Sequence, residues 1–168
     1  MSKAVMLSIR PKWCEKIASG EKTIEVRKTK PKLDTPFKCY IYCTLPKYPH
    51  EDFIATDYPR PQFYGGGKVI GEFTCERIAL IAYDGGELSS TTNAAFSPAM
   101  CLTRSEIIAY IGDKGRCYGW HMSNLRIYDT PRELSEFTGL RDTRFGAAPY
   151  DIKRAPQSWC YVEAIDNG

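Results

Sequence analysis

Nowhere does the sequence hold an apolar run near the roughly 20 residues that a membrane-crossing helix requires. The longest, Ile78 to Tyr83, has six, so no spanning protein is expected. The N-terminus, Met-Ser-Lys-Ala-Val-Met-Leu-Ser-Ile-Arg-Pro, lacks an apolar core followed by a small-residue cleavage site; no secretion signal is read, and a cytoplasmic location is expected. Histidine is scarce, and none of the seven cysteines forms a C-x-x-C pair. A zinc site would draw on this short supply. Cys39 and Cys43 lie in an alternating run, about 13 Å apart along a strand, too far for one metal without a bend. Only His50 and His121 could add nitrogen ligands. No metal or cofactor is expected, and the cysteines read as buried free thiols. Internal repeats and low-complexity segments are also missing.

What is present fits one compact domain over residues 1 to 168, with 43% hydrophobic and 26% charged residues. The net charge of +3 conceals an asymmetry: residues 1 to 32 carry nine basic and three acidic side chains, and the remainder sums to −3. At the centre of the basic end stands Arg27-Lys28-Thr29-Lys30-Pro31-Lys32. Such an end is an electrostatic footprint for a polyanion, or else a solvated basic loop.

Along the chain, a strand from Ala4 to Ile9 precedes a helix opened by Pro11 and ended by Gly20. Lys22 to Arg27 alternates strictly, placing Ile24 and Val26 on one face and Thr23, Glu25 and Arg27 on the other, which predicts a half-buried strand. In Lys38 to Leu45 the cysteines, Ile41 and Leu45 point inward and Tyr40 and Tyr42 outward. Residues 46 to 67, with four prolines and Gly65-Gly66-Gly67, form a long loop. Val69 to Ile81 supplies one or two strands, with Glu72 and Glu76 spaced for one face. Thr103-Arg104-Ser105-Glu106 is a capping box opening a helix that stops at Gly112; Thr130-Pro131-Arg132-Glu133 opens a second, through Phe137 to Gly139. Leu125 to Tyr128 and Ser158 to Ala164 complete about six strands. Three short helices without a βαβ rhythm then favour an α+β fold, a small mixed β-barrel with peripheral helices.

Leu7-Ser8-Ile9-Arg10-Pro11-Lys12-Trp13, the helix to Gly20 and above all Gly20-Glu21-Lys22-Thr23-Ile24-Glu25-Val26-Arg27 resemble the ASCH domain, a small barrel of the PUA-like superfamily. Val69-Ile70-Gly71-Glu72-Phe73 resembles its later central strand. Tyr118-Gly119-Trp120-His121, Pro131 to Phe137 and Pro156 to Val162 look like the longer ASCH proteins of bacteria and their phages. The resemblance implies a cleft between the first helix, the Lys22 to Arg27 strand and the barrel, used for RNA or a nucleotide with an unpaired or modified base.

Such a site needs cations for phosphate, flat rings for stacking and groups that bond a base edge. Lys12, Arg27, Lys28 and Lys30 are the phosphate candidates. Trp13, Tyr42, Trp120 and Trp159 are candidates for stacking, with core packing the other reading for Trp13 and Trp159. Ser8, Glu25 and His121 are candidates for the base edge.

Some bacterial ASCH proteins are amidohydrolases of acylated cytidine that use a lysine, a threonine nucleophile and a later glutamate. Lys22 and Glu72 match the lysine and the carboxylate, but Glu25 stands where the threonine is expected. Lys22, Glu25 and Glu72 are therefore the catalytic candidates: Glu25 and Glu72 sharing a proton would activate water. Thr23 could replace the nucleophile only through a shifted turn. The leading expectation is a binding domain; the alternatives are a metal-independent hydrolase or ribonuclease, and a protein-interaction module built on the 46 to 67 loop.

Overall fold

The computed structural model describes residues 2–45, 66–92, 94 and 97–166. The loop expected at 46 to 67 lies outside the described residues, except for Gly66 and Gly67. Nine strands form one mixed sheet: β1 (Lys3–Ile9), β2 (Ile24–Arg27), β3 (Phe37–Cys43), β4 (Lys68–Asp84), β5 (Glu87–Ser90), β6 (Arg116–Arg132), β7 (Thr138–Thr143), β8 (Gly146–Asp151) and β9 (Trp159–Glu163). Two α-helices join them, α1 (Pro11–Ala18) and α2 (Arg104–Ile111). The order β2-β6-β4-β3-β1-β9-β7-β8, with β5 paired to β4, does not close among the described residues. The α+β class is as expected; the strand count is higher than about six, and the barrel is an open sheet. Among the described residues no helix is long and apolar enough to cross a membrane.

β1 is apolar from Ala4 to Leu7, where it is covered on both faces. Val5, Leu7 and Ile9 pack with α1, β3 and β4 in one cluster, while Ala4 and Met6 pack with Tyr40, Phe137 and Val162 in another. The only parallel pairing among the described strands is β1 with β3, in register Val5 to Cys39. In β3 the cysteines and Ile41 take one face and the tyrosines the other, as alternation predicts, but Tyr40 is also fully buried. Leu45, expected inward, is 70% exposed. A third cluster is built by Ile24, Val26, Ile81 and Cys117 under Ile107 and Ile111 of α2.

Both ends of α2 follow the sequence. Thr103 and Glu106 complete the capping box, and Gly112 stands at the C-cap with φ +57°. The second box does not open an α-helix. Thr130 to Arg132 continue β6, held by the pairing of Arg132 with Val69. Glu133 and Glu136 cap a single 3₁₀ turn over Leu134–Glu136 instead. Asp84-Gly85-Gly86-Glu87 makes an unanticipated two-residue hairpin, with positive φ at both glycines as a type I′ turn requires.

All seven cysteines are free thiols, five of them buried. Burial holds Cys75 up at about 12 and Cys117 and Cys160 at about 11, and raises Cys14 and Cys39 well above the ordinary 9.0. Folded values above unfolded ones stabilise fully below about pH 9, and that contribution is lost as pH rises through the folded values. The urea midpoint should therefore hold between about pH 7 and 8 and fall by about pH 10. A midpoint that stays level through pH 10 contradicts protonated burial of these thiols.

Candidate functional site

Because β2 alternates, Ile24 and Val26 enter the core beneath α2, and Glu25 and Arg27 turn the other way. That second face is buried as well, Glu25 being 6% and Arg27 9% exposed. The expectation of a half-exposed strand is thus corrected. Glu25 and Arg27 line a cleft of about 350 Å³ between the end of β1, α1 and the start of α2.

Arg27 reaches three segments at once. Its Nη2 donates to the Ser8 carbonyl at 2.8 Å and lies 3.2 Å from Glu25 Oε1, while its Nη1 lies 3.3 Å from both the carbonyl and the hydroxyl of Ser158. Lys22 Nζ donates to the Met100 carbonyl at 2.6 Å and stands 3.8 Å from Glu25 Oε2. Glu25 therefore sits between two buried cations. Its Oε2 has no hydrogen-bond partner, nor has Arg27 Nε. Burial lowers the pKa of Lys22, against which the Glu25 charge acts. Above this floor the Trp13 ring is half-buried, with Lys22 Nζ 5.0 Å and Lys12 Nζ 4.7 Å from its centroid.

Of the residues expected at the site, Ser8, Trp13, Lys22, Glu25 and Arg27 line the cleft together, and Lys12 stands exposed over Trp13. Ser8 donates its hydroxyl to the Pro156 carbonyl at 2.5 Å, tying β1 to the segment before β9. Lys28 and Lys30 are exposed and line a separate groove.

Five residues are placed elsewhere. Glu72 pairs with Lys38 at 3.3 Å and accepts from the Tyr128 hydroxyl at 2.6 Å, opposite Tyr40 in the register, so the proton-sharing pair with Glu25 is not formed. Tyr42 packs with the cluster of Tyr40 and Val69. Trp120 is fully buried and meets Phe37 edge-on, with centroids 5.8 Å apart; it is core. His121 Nε2 lies 3.2 Å from the Thr92 hydroxyl, and burial lowers its pKa. Trp159 donates to Thr29 Oγ1 at 2.9 Å and tilts against Trp120, outside the cleft. Thr23 is exposed and does not line the cleft, so it does not supply the missing hydroxyl there.

Sequence reading missed Tyr110, Gln157 and the Met100 carbonyl. Tyr110 lies on α2 and donates to the Val26 carbonyl at 3.3 Å. The capping box located α2 but not the face it turns to β2. No local pattern marks a carbonyl as the partner of a buried lysine.

No family model and no curated protein matches the sequence. The chain is similar to the crystal structure of an ASCH protein from Zymomonas mobilis, with a TM-score of 0.59 at 18% identity over 95% of this chain and 87% of that one. Two mutant forms of that protein match over the same 95% of this chain. One does so with a TM-score of 0.59 at 18% identity and 88% of its length, the other with 0.54 at 16% and 90%. A likeness at these identities concerns the path of the backbone. From the first strand and the Gly20-ended helix to β9, that path is the ASCH domain fold.

Proposed function

We propose that the cleft binds a single base of RNA, unpaired or modified, and that Glu25 reads its edge. The observation that carries this reading is Glu25 Oε2, buried, without a hydrogen-bond partner and set in the wall of the cleft. An unsatisfied buried acceptor costs about 1–3 kcal/mol, which a ligand N–H relieves. A volume of about 350 Å³ is at the small end of ligand pockets and suits one base rather than a larger cofactor. A carboxylate accepts from the exocyclic amine of cytosine. Trp13 offers the flat face on which a base stacks, and Arg10 and Lys12 at the rim provide positive charge for its phosphate.

Hydrolysis of an acylated cytidine is the second reading, favoured by the lowered pKa of Lys22 beside Glu25. It lacks the second carboxylate, since Glu72 is engaged by Lys38 and Tyr128. One experiment separates the two: calorimetric titration of cytidine monophosphate and N4-acetylcytidine, with chromatography for released cytidine. Binding without release is expected, and Glu25→Gln should weaken it roughly 10- to 100-fold, the loss of a charged hydrogen bond. Release of cytidine that Glu25→Gln slows by about 10²–10⁴-fold replaces binding with general acid–base hydrolysis. If neither compound binds, the base-binding reading is wrong.

A further inference from the structure

Immediately past β2 the chain leaves the cleft and borders a larger groove of about 690 Å³. Lys28 and Lys30 stand on one side, Lys114 and Arg116 at the turn into β6 on the other, with half-buried Tyr118 between them. All four cations are exposed. Among the described residues none of them forms an ion pair, whereas Lys3, Lys16, Lys68 and Arg132 all hold carboxylates. Lys28 lies 5.3 Å from the Tyr110 ring centroid and Lys30 5.8 Å from that of Tyr118, so aromatic faces orient two of the charges without neutralising them.

Four unpaired like charges around one concavity repel one another and lower their mutual energy by taking up an anion. The groove begins one residue beyond the cleft. Arg27 belongs to the cleft wall and Lys28 to the groove, and Tyr110 borders the cleft while holding Lys28 over its ring. We infer that the groove carries the phosphates flanking the base held in the cleft, with Tyr118 available to a neighbouring base. The ligand is then a single-stranded RNA segment and not a free nucleotide. This inference rests on the base-binding reading of the cleft.

Fluorescence anisotropy of a labelled single-stranded RNA across a salt series, beside calorimetry with cytidine monophosphate, tests it. Each phosphate contact contributes about 0.7 to the slope of log affinity against log salt for a single strand. The double variant Lys114→Ala, Arg116→Ala should lower that slope by about 1.4, weaken RNA binding at low salt and leave cytidine monophosphate binding unchanged. Lys153→Ala, an exposed cation elsewhere, should leave the slope as it is. An unchanged slope in the double variant overturns the inference. So does polyglutamate competing as well as RNA of equal charge, which would make the groove a site for acidic protein. Loss of slope with no binding of cytidine monophosphate rejects the cleft reading but keeps the phosphate contacts of the groove.

Discussion

Trp120→Ala should lower stability by about 3–5 kcal/mol, measured as a fall in the urea midpoint. Trp120 is fully buried in the cluster that joins β1, α1, β3 and β4, edge-on to Phe37 and 6.2 Å from the Trp159 centroid. Removing an indole from such a place takes away its buried apolar area and leaves a cavity that rigid strands cannot close. Its Nε1 is buried without a partner. Trp120→Phe removes that orphaned donor while keeping a ring, and should cost much less than the alanine variant. If Trp120 were a stacking platform for a base, as its neighbourhood in the sequence had suggested, the alanine variant would lose RNA affinity and keep its midpoint.

Arg27→Met should cost about 3–5 kcal/mol, the usual penalty when one member of a buried ion pair is removed. The substitution leaves Glu25 with only the longer pair to Lys22 and the Ser8 carbonyl without its guanidinium donor. Arg27→Lys should not rescue it, since a single ammonium cannot reach Ser8, Ser158 and Glu25 together. Reading Arg27 only as a phosphate ligand leads to the opposite outcome: weaker RNA binding and an unmoved urea midpoint. Because both Nη atoms of Arg27 are engaged inside the protein, the salt dependence of binding should come from Lys28 and the other groove cations instead.

The polar strand was legible because period-two alternation over Lys22 to Arg27 needs no knowledge of neighbours. Its burial was not legible, since part of what engages Arg27 comes from Ser158, 131 positions later. Trp120 and His121 entered as site candidates, yet nothing local says that both lie buried on β6. Glu72 matched a sequence pattern and still went elsewhere. Opposite Tyr40, on a β4 that carries a register irregularity between Glu72 and Thr74, it meets Tyr128 rather than Glu25. The Thr130 box shows a local signal yielding to a distant one, because ladder bonds to β4 keep Thr130 to Arg132 extended. β7 and β8 carry few apolar residues in alternation. Their pairing rests on backbone bonds and on the Tyr150 ring lying over Gly139, where an added Cβ would stand 2.3 Å from the ring.

The bonds of Lys22 to Met100 and of Arg27 to Ser8 and Ser158 join chain segments 78, 19 and 131 positions apart. During synthesis the N-terminal strands emerge first and can begin to fold, yet Arg27 waits for Ser158 and β1 waits for β9. A nascent or prematurely terminated chain that stops at Ile152 contains Trp13, Lys22, Glu25 and Arg27 but lacks Gln157 of the cleft lining and the Ser158 partner of Arg27. A chain ending at Ile152 should therefore bind a base in the cleft more weakly than the full chain, in calorimetry with cytidine monophosphate.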